Sequence, residues 1–159
     1  MPTRAAIVTG AGRGIGRAIA LALAREGPVA VADLLAEEAR AVAGEITNAG
    51  GRAVAVELDV THPPSVADGV RAARDALGPL QILVNNAGWD ELRPFTDTDE
   101  AFWERVLDVN FKGALRMTHA LLPGMIADGF GRIVSIGSDA ARVGSDPRWS
   151  RCTPVQRAA

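Results

Sequence analysis

The stretch that most constrains this chain is an apolar run, Arg4-Ala5-Ala6-Ile7-Val8-Thr9, that breaks abruptly into Gly10-Ala11-Gly12-Arg13-Gly14-Ile15-Gly16. Immediately afterwards the apolar spacing changes, and Ile15, Ala18, Ile19, Ala22 and Leu23 fall on one face of a helix. A strand that turns through a glycine-rich loop straight into a helix reads as the start of a crossover unit. Such a unit needs a parallel neighbour for its first strand.

The rest of the sequence supplies those neighbours. Gly27 and Pro28 close the first helix, and Val29 to Ala32 gives a second strand ending at Asp33. A second helix runs through Ala39, Val42, Ala43 and Ile46. After a turn at Asn48 to Gly51, a third strand spans Ala53 to Leu58 and ends at Asp59. Thr61 is placed to cap a third helix, whose first turn tolerates Pro63 and Pro64. Leu80 to Val84 is a fourth strand, followed by Asn85-Asn86-Ala87-Gly88. Thr98 is placed to cap one long helix from about Asp99 to Asp128, weakest at Gly113. Arg132 to Ile136 is a fifth strand leading to Ser138. Apolar strands alternating with helices predict an α/β fold: a doubly wound parallel sheet of about five strands, incomplete, with helices on both faces. Residues 1–145 read as one such domain. Residues 146–159 have neither period and read as an irregular tail.

Composition narrows the partners. A net charge of −2 gives no basic field for nucleic acid or an anionic membrane, and no run approaches the roughly 20 apolar residues of a membrane span. Cys152 is the only cysteine, and Met-Pro-Thr-Arg leads into the first strand without a secretory leader, so a cytoplasmic protein is expected. His62 and His119 read as fillers rather than metal ligands.

The glycine loop carries the first chemistry. Between a strand and a helix, glycines let the backbone approach a pyrophosphate, whose charge meets the helix N-terminal N–H groups. No Gly-Lys-Ser/Thr follows, so it is not a P-loop; a bare turn is the competing reading. Asp33, about 20 residues on, is placed to accept hydrogen bonds from adenosine ribose hydroxyls and to repel a 2′-phosphate, which favours NAD over NADP. Its alternative is a helix cap before Leu34. Arg13 beside the loop keeps NADP open.

In these motifs the chain resembles the classical short-chain dehydrogenase/reductase family over roughly residues 3–145. Thr9, Gly10, Gly14 and Gly16 match its T-G-x-x-x-G-x-G pattern, with Gly12, Arg13 and Ile15 in the same loop. Asp59, with Val60 beside it, matches the acid that meets the adenine ring, and Asn85-Asn86-Ala87-Gly88 matches the N-N-A-G signature. Asn110 matches the helix asparagine of the family's proton relay, and Ser138 its catalytic serine. Taken singly, the asparagines could stabilise a turn or a helix and Ser138 could cap the next segment. The resemblance implies a homo-oligomeric oxidoreductase passing hydride between NAD and a small-molecule alcohol or ketone. Asn85 to Asp90, Leu122 to Met125 and Ser138 to Ser145 look like the 2-hydroxycyclohexanecarboxyl-CoA dehydrogenases, implying an alicyclic β-hydroxyacyl-CoA thioester; a 3-oxoacyl thioester is the alternative. Trp89 is expected to line the pocket mouth, with plain packing after the turn as the alternative.

The family's chemistry also uses a Tyr-x-x-x-Lys pair about a dozen residues after the serine. This chain contains no tyrosine, and its one lysine, Lys112, lies on the preceding helix. Hydride transfer by the chain as written is therefore not expected. Of the remaining readings, an unstable fragment with an exposed fifth-strand edge ranks above a stable nucleotide-binding fragment, and the parent family's oligomer is not expected of it. Back-translation of Trp149 to Ala159 read in a shifted frame permits Val-x-x-Tyr-x-x-x-Lys, which suggests a frameshift near Ser145. Resequencing the gene across codons 140–160 is expected to yield that motif in a shifted frame; neither alternative frame encoding it ends the idea.

Overall fold

A computed structural model of the chain describes residues 3–91 and 93–138. Five strands, β1 (Ala5–Thr9), β2 (Val29–Asp33), β3 (Ala53–Glu57), β4 (Leu80–Asn85) and β5 (Arg132–Ser135), form one sheet in the order β3-β2-β1-β4-β5. Every pairing is parallel. The helices are α1 (Gly14–Leu23), α2 (Ala36–Asn48), α3 (Pro63–Leu77), α4 (Glu100–Leu107) and α5 (Gly113–Ala127). The doubly wound sheet expected from the sequence is thus present. The expectations for residues 139–159, including the irregular tail, lie outside the described residues.

The period-2 geometry of a strand explains why β1 can be apolar throughout. Ala5 and Ile7 enter a core shared with α3 and α5, through Val70, Ala73, Met117 and Leu121. Ala6 and Val8 enter the opposite core, shared with α1 and α2 through Ala20, Val42 and Ile46. All five β1 residues are buried, so the strand that launches the glycine loop is gripped from both faces. β5 has all four residues exposed at one edge of the sheet.

Three local expectations are corrected. Thr61 does not cap α3: its N–H and hydroxyl both donate to Asp59 Oδ1, at 2.8 and 2.7 Å, and the N-cap position falls on His62 with Pro63 next. Thr98 does not cap α4: Asp99 does, accepting the Phe102 N–H at 2.8 Å, while the Thr98 hydroxyl donates to the Phe95 carbonyl. At α4 the carboxylate, a stronger acceptor than a hydroxyl, takes the helix N–H, whereas at α3 the Thr61 hydroxyl is committed to Asp59 and no side chain caps the helix. The single long helix is two helices joined by a π-helical turn, Asp108–Lys112, ending where Gly113 suggested weakness. Arg116 stabilises that turn, donating to the Asp108 carbonyl and Val60 carbonyl at 3.2 Å each and to Asp108 Oδ1 at 2.6 Å.

The packing sets a contrast on α5. Leu121 is fully buried, whereas adjacent Leu122 is 41% exposed. Leu121→Ala is expected to cost about 2–5 kcal/mol in chemical denaturation, and Leu122→Ala within about 0.5 kcal/mol. Equal losses at the two positions would contradict this seating of α5.

Candidate dinucleotide-binding cleft

The strand order reverses between β1 and β4: the chain winds outward from β1 to β3, then returns to lay β4 on the other side of β1. Their carboxyl ends diverge into loops that open a crevice, the usual ligand position of such sheets. Gly10 turns out of β1 with φ at 61°, and a Cβ there would sit 2.9 Å from Ala87 Cα. A Cβ on Gly16 would lie 2.1 Å from the Gly10 carbonyl oxygen. Glycine is therefore required at both positions for the loop and α1 to close on each other.

Hydrogen bonds lace this loop to the one after β4. The Thr9 hydroxyl oxygen accepts the N–H groups of Asn86 and Ala87 at 3.1 and 3.0 Å. Asn86 Nδ2 donates back to the carbonyls of Thr9 and Gly10, both at 3.0 Å. Four bonds thus join two loops whose residues are far apart in sequence. No side chain caps the N-terminus of α1, so its first N–H groups face the loop without a side-chain acceptor.

Asp33 stands across the crevice at the end of β2. Its Oδ2 accepts the Gly12 N–H at 2.8 Å and its Oδ1 the Leu35 N–H at 3.0 Å. It is not the cap of α2, whose N-cap residue is Leu35. Asp59 is fixed by Thr61 and by its own N–H, which donates to Ser65 Oγ at 3.0 Å.

The crevice has two lobes. The larger, about 840 Å³, is lined by Gly10, Arg13, Asp33, Asp59, Val60 and Trp89 among others. The smaller, about 500 Å³, is lined by Thr9, Ile15, Asn85, Asn110, Gly137 and Ser138 among others. Val60, Asn86, Ala87, Gly88 and Val109 border both, so the lobes are continuous. Gly12, Gly14 and Gly16 shape the loop without lining either lobe. Every other site residue expected from the sequence lines one of them.

Asn110 and Ser138 share the smaller lobe, but the Asn110 amide is committed to the loop after β4. Its Oδ1 accepts the Trp89 N–H at 2.8 Å, and its Nδ2 donates to the Trp89 carbonyl at 2.7 Å. The Trp89 indole lies beneath the Arg105 guanidinium, 3.9 Å from the ring centroid, with Phe102 at 5.4 Å. Neither Arg105 nor Arg116 stands out in the sequence. An arginine on a helix looks like a solvated charge until its tertiary neighbour is known. Partial burial raises the carboxyl of Asp90 above its ordinary range, against the lowering effect of the Glu91 N–H.

Comparison with known proteins places this geometry. A family profile described as short chain dehydrogenase matches residues 4–149. Sorbitol dehydrogenase of Cereibacter sphaeroides is 42% identical over 143 residues, covering 89% of this chain and 55% of that protein. Oxidoreductase UcpA of Escherichia coli is 38% identical over 144 residues, covering 91% and 55%. A 7α-hydroxysteroid dehydrogenase solved with NADH and 7-oxo glycochenodeoxycholic acid superposes with a TM-score of 0.90 at 35% identity, over 98% of this chain and 61% of that one. The chain thus spans little more than half the length of these relatives. On the profile match, the identities and the shared sheet, it belongs to the short-chain dehydrogenase family.

Proposed function

We propose that the cleft binds a nicotinamide dinucleotide, NAD in preference to NADP, and that it is the cofactor-binding part of an oxidoreductase acting on a secondary alcohol or its ketone. The single observation that carries this reading is Asp33, a carboxylate fixed by two backbone N–H groups on the wall of the larger lobe. A fixed negative charge favours ribose hydroxyls as donors and opposes a 2′-phosphate.

The residues fit such a group. The uncapped α1 N-terminus behind a loop closed by Gly10 and Gly16 suits a pyrophosphate, and Asp59, Val60 and Thr61 suit an adenine at the far wall. When bound, the nicotinamide supplies the hydride acceptor or donor. The chain's own part is to hold the dinucleotide and to present Asn110 and Ser138 at the lobe where a carbonyl or hydroxyl would sit. Ser138 would hydrogen-bond the substrate oxygen; Asn110, through Trp89, would hold the lobe's wall.

The finer substrate reading is an alicyclic β-hydroxyacyl-CoA, supported by the Asn85 to Asp90 and Ser138 to Ser145 segments, with a 3-oxoacyl thioester as its competitor. Proton exchange with the substrate oxygen needs a group of matched pKa within hydrogen-bond reach. With no tyrosine in the sequence, we propose that this chain binds the dinucleotide without turning it over. Nucleotide binding itself is favoured over the unstable-fragment reading, because the bonds that fix the glycine loop, Asp33 and Asn86 are made without residues of the exposed β5 edge.

Titration of the chain with NADH and NADPH, followed by nicotinamide fluorescence, is expected to show tighter binding of NADH. Asp33→Ser should reduce the preference roughly tenfold, or ~1.4 kcal/mol. Asn86→Ala removes two bonds to the glycine loop and is expected to weaken both nucleotides alike while costing about 1–3 kcal/mol of stability. A preference for NADPH in the wild type would overturn the cofactor reading. Incubation with NADH and ketone or 3-oxoacyl-CoA substrates is expected to give no oxidation above the protein-free rate, and measurable turnover would refute the predicted inactivity.

A further inference from the structure

Arg13 lines the larger lobe beside Asp33, and a guanidinium at that place is the natural partner of a phosphate. The lobe therefore contains a cation that opposes the selection made by Asp33. Glu38, in the first turn of α2, lies directly behind both. A Cβ built on Gly12 would be 2.7 Å from Glu38 Cβ and 3.0 Å from Asp33 Oδ2, so the two acids converge on the same point of the glycine loop. Glu38 Oε2 is buried and has no hydrogen-bond partner among the described residues. The cation it meets is Arg13, with Nε at 4.0 Å.

A buried carboxylate oxygen without a donor is costly, and the cost falls when a cation stays beside it. We propose that Glu38 is a second determinant of cofactor choice, acting as a positioning residue: it holds the Arg13 side chain and cancels its charge, so that Arg13 does not serve a 2′-phosphate. The inference rests on the reading that the cleft takes NAD. The Arg13 side chain is 80% exposed and that of Glu38 36%, so the pair is weakened by solvent and the effect is modest.

The test titrates wild type, E38Q, R13A and the double variant with NADH and NADPH, following nicotinamide fluorescence at low ionic strength. E38Q is expected to raise NADPH affinity about fivefold, ~1 kcal/mol, with NADH affinity changed less than about twofold. The gain is expected to vanish when Arg13 is also removed, a coupling that general loss of packing would not produce. R13A alone should change NADPH affinity less than about twofold, because the cation is already neutralised. A gain in E38Q that persists without Arg13, or no gain at all while the wild type still selects NADH, overturns the role of Glu38 and leaves the NAD reading intact. A wild type that binds neither nucleotide overturns both. Should E38Q fail to fold, R13A decides alone: a fivefold fall in NADPH affinity sinks the proposal, and an unchanged affinity supports it.

Discussion

The cleft depends on how closely two loops approach at the carboxyl ends of β1 and β4. The Gly10 carbonyl lies where a side chain on Gly16 would begin, and the same carbonyl accepts a bond from Asn86. Thr9 completes the junction by accepting two successive N–H groups from the opposite loop. Each polar group at this junction is buried or half-buried, so each bond replaces a water contact that the fold removes. Loosening any one of them would leave another unsatisfied. The loop geometry is therefore specified cooperatively, and the uncapped helix end it aims at the lobe is held in place by the same contacts.

That junction holds only because β1 is fixed on both faces. Ile7 is seated against α3 and α5, while Val8 is seated against α1 and α2. Residues one position apart thus belong to different cores, and a register slip would exchange them. A second tie runs through the π turn. Arg116 binds the Asp108 carbonyl and the Val60 carbonyl together, joining α5 to the loop after β3. From within that turn, Asn110 grips the backbone of Trp89. The irregular turn thereby sets the wall between the two lobes, in keeping with the frequent placing of π turns at functional sites.

The glycine loop, Asp33 and the two asparagines after β4 were legible in the sequence because their function is carried by residue type at short range: glycine where backbones touch, an acid where a strand ends. The sheet was legible for the same reason, since β1, β2 and β3 are apolar in all but their last residue. Neither threonine caps its helix, because Asp99 takes the Phe102 N–H beside Thr98 and the Thr61 hydroxyl donates to Asp59, competitions that residue spacing does not rank. The π turn was visible only as a weak point at Gly113; helical periodicity continues through it, and what sustains it is the Arg116 side chain returning from the next turn. Trp89 was placed correctly at the cleft, but its partners Arg105 and Phe102 come from a helix that only the fold brings near.

The two lobes are built from different parts of the chain, and this separates how firmly each is held. The larger lobe takes its walls from the ends of β1 to β4 and from α4. The smaller lobe also needs α5 and residues Ser135 to Ser138 after the edge strand. The first lobe is braced by β1, β2 and β4, each paired on both sides, and by the other edge strand, β3, whose residues are mostly half-buried. The second leans on β5, which is paired on one side only and exposed along its length. Local opening draws first on elements with few buried contacts. Motion at β5 would therefore disturb Ser138 and the smaller lobe while leaving Asp33 and the glycine loop in place, so that the larger lobe is the more firmly held of the two.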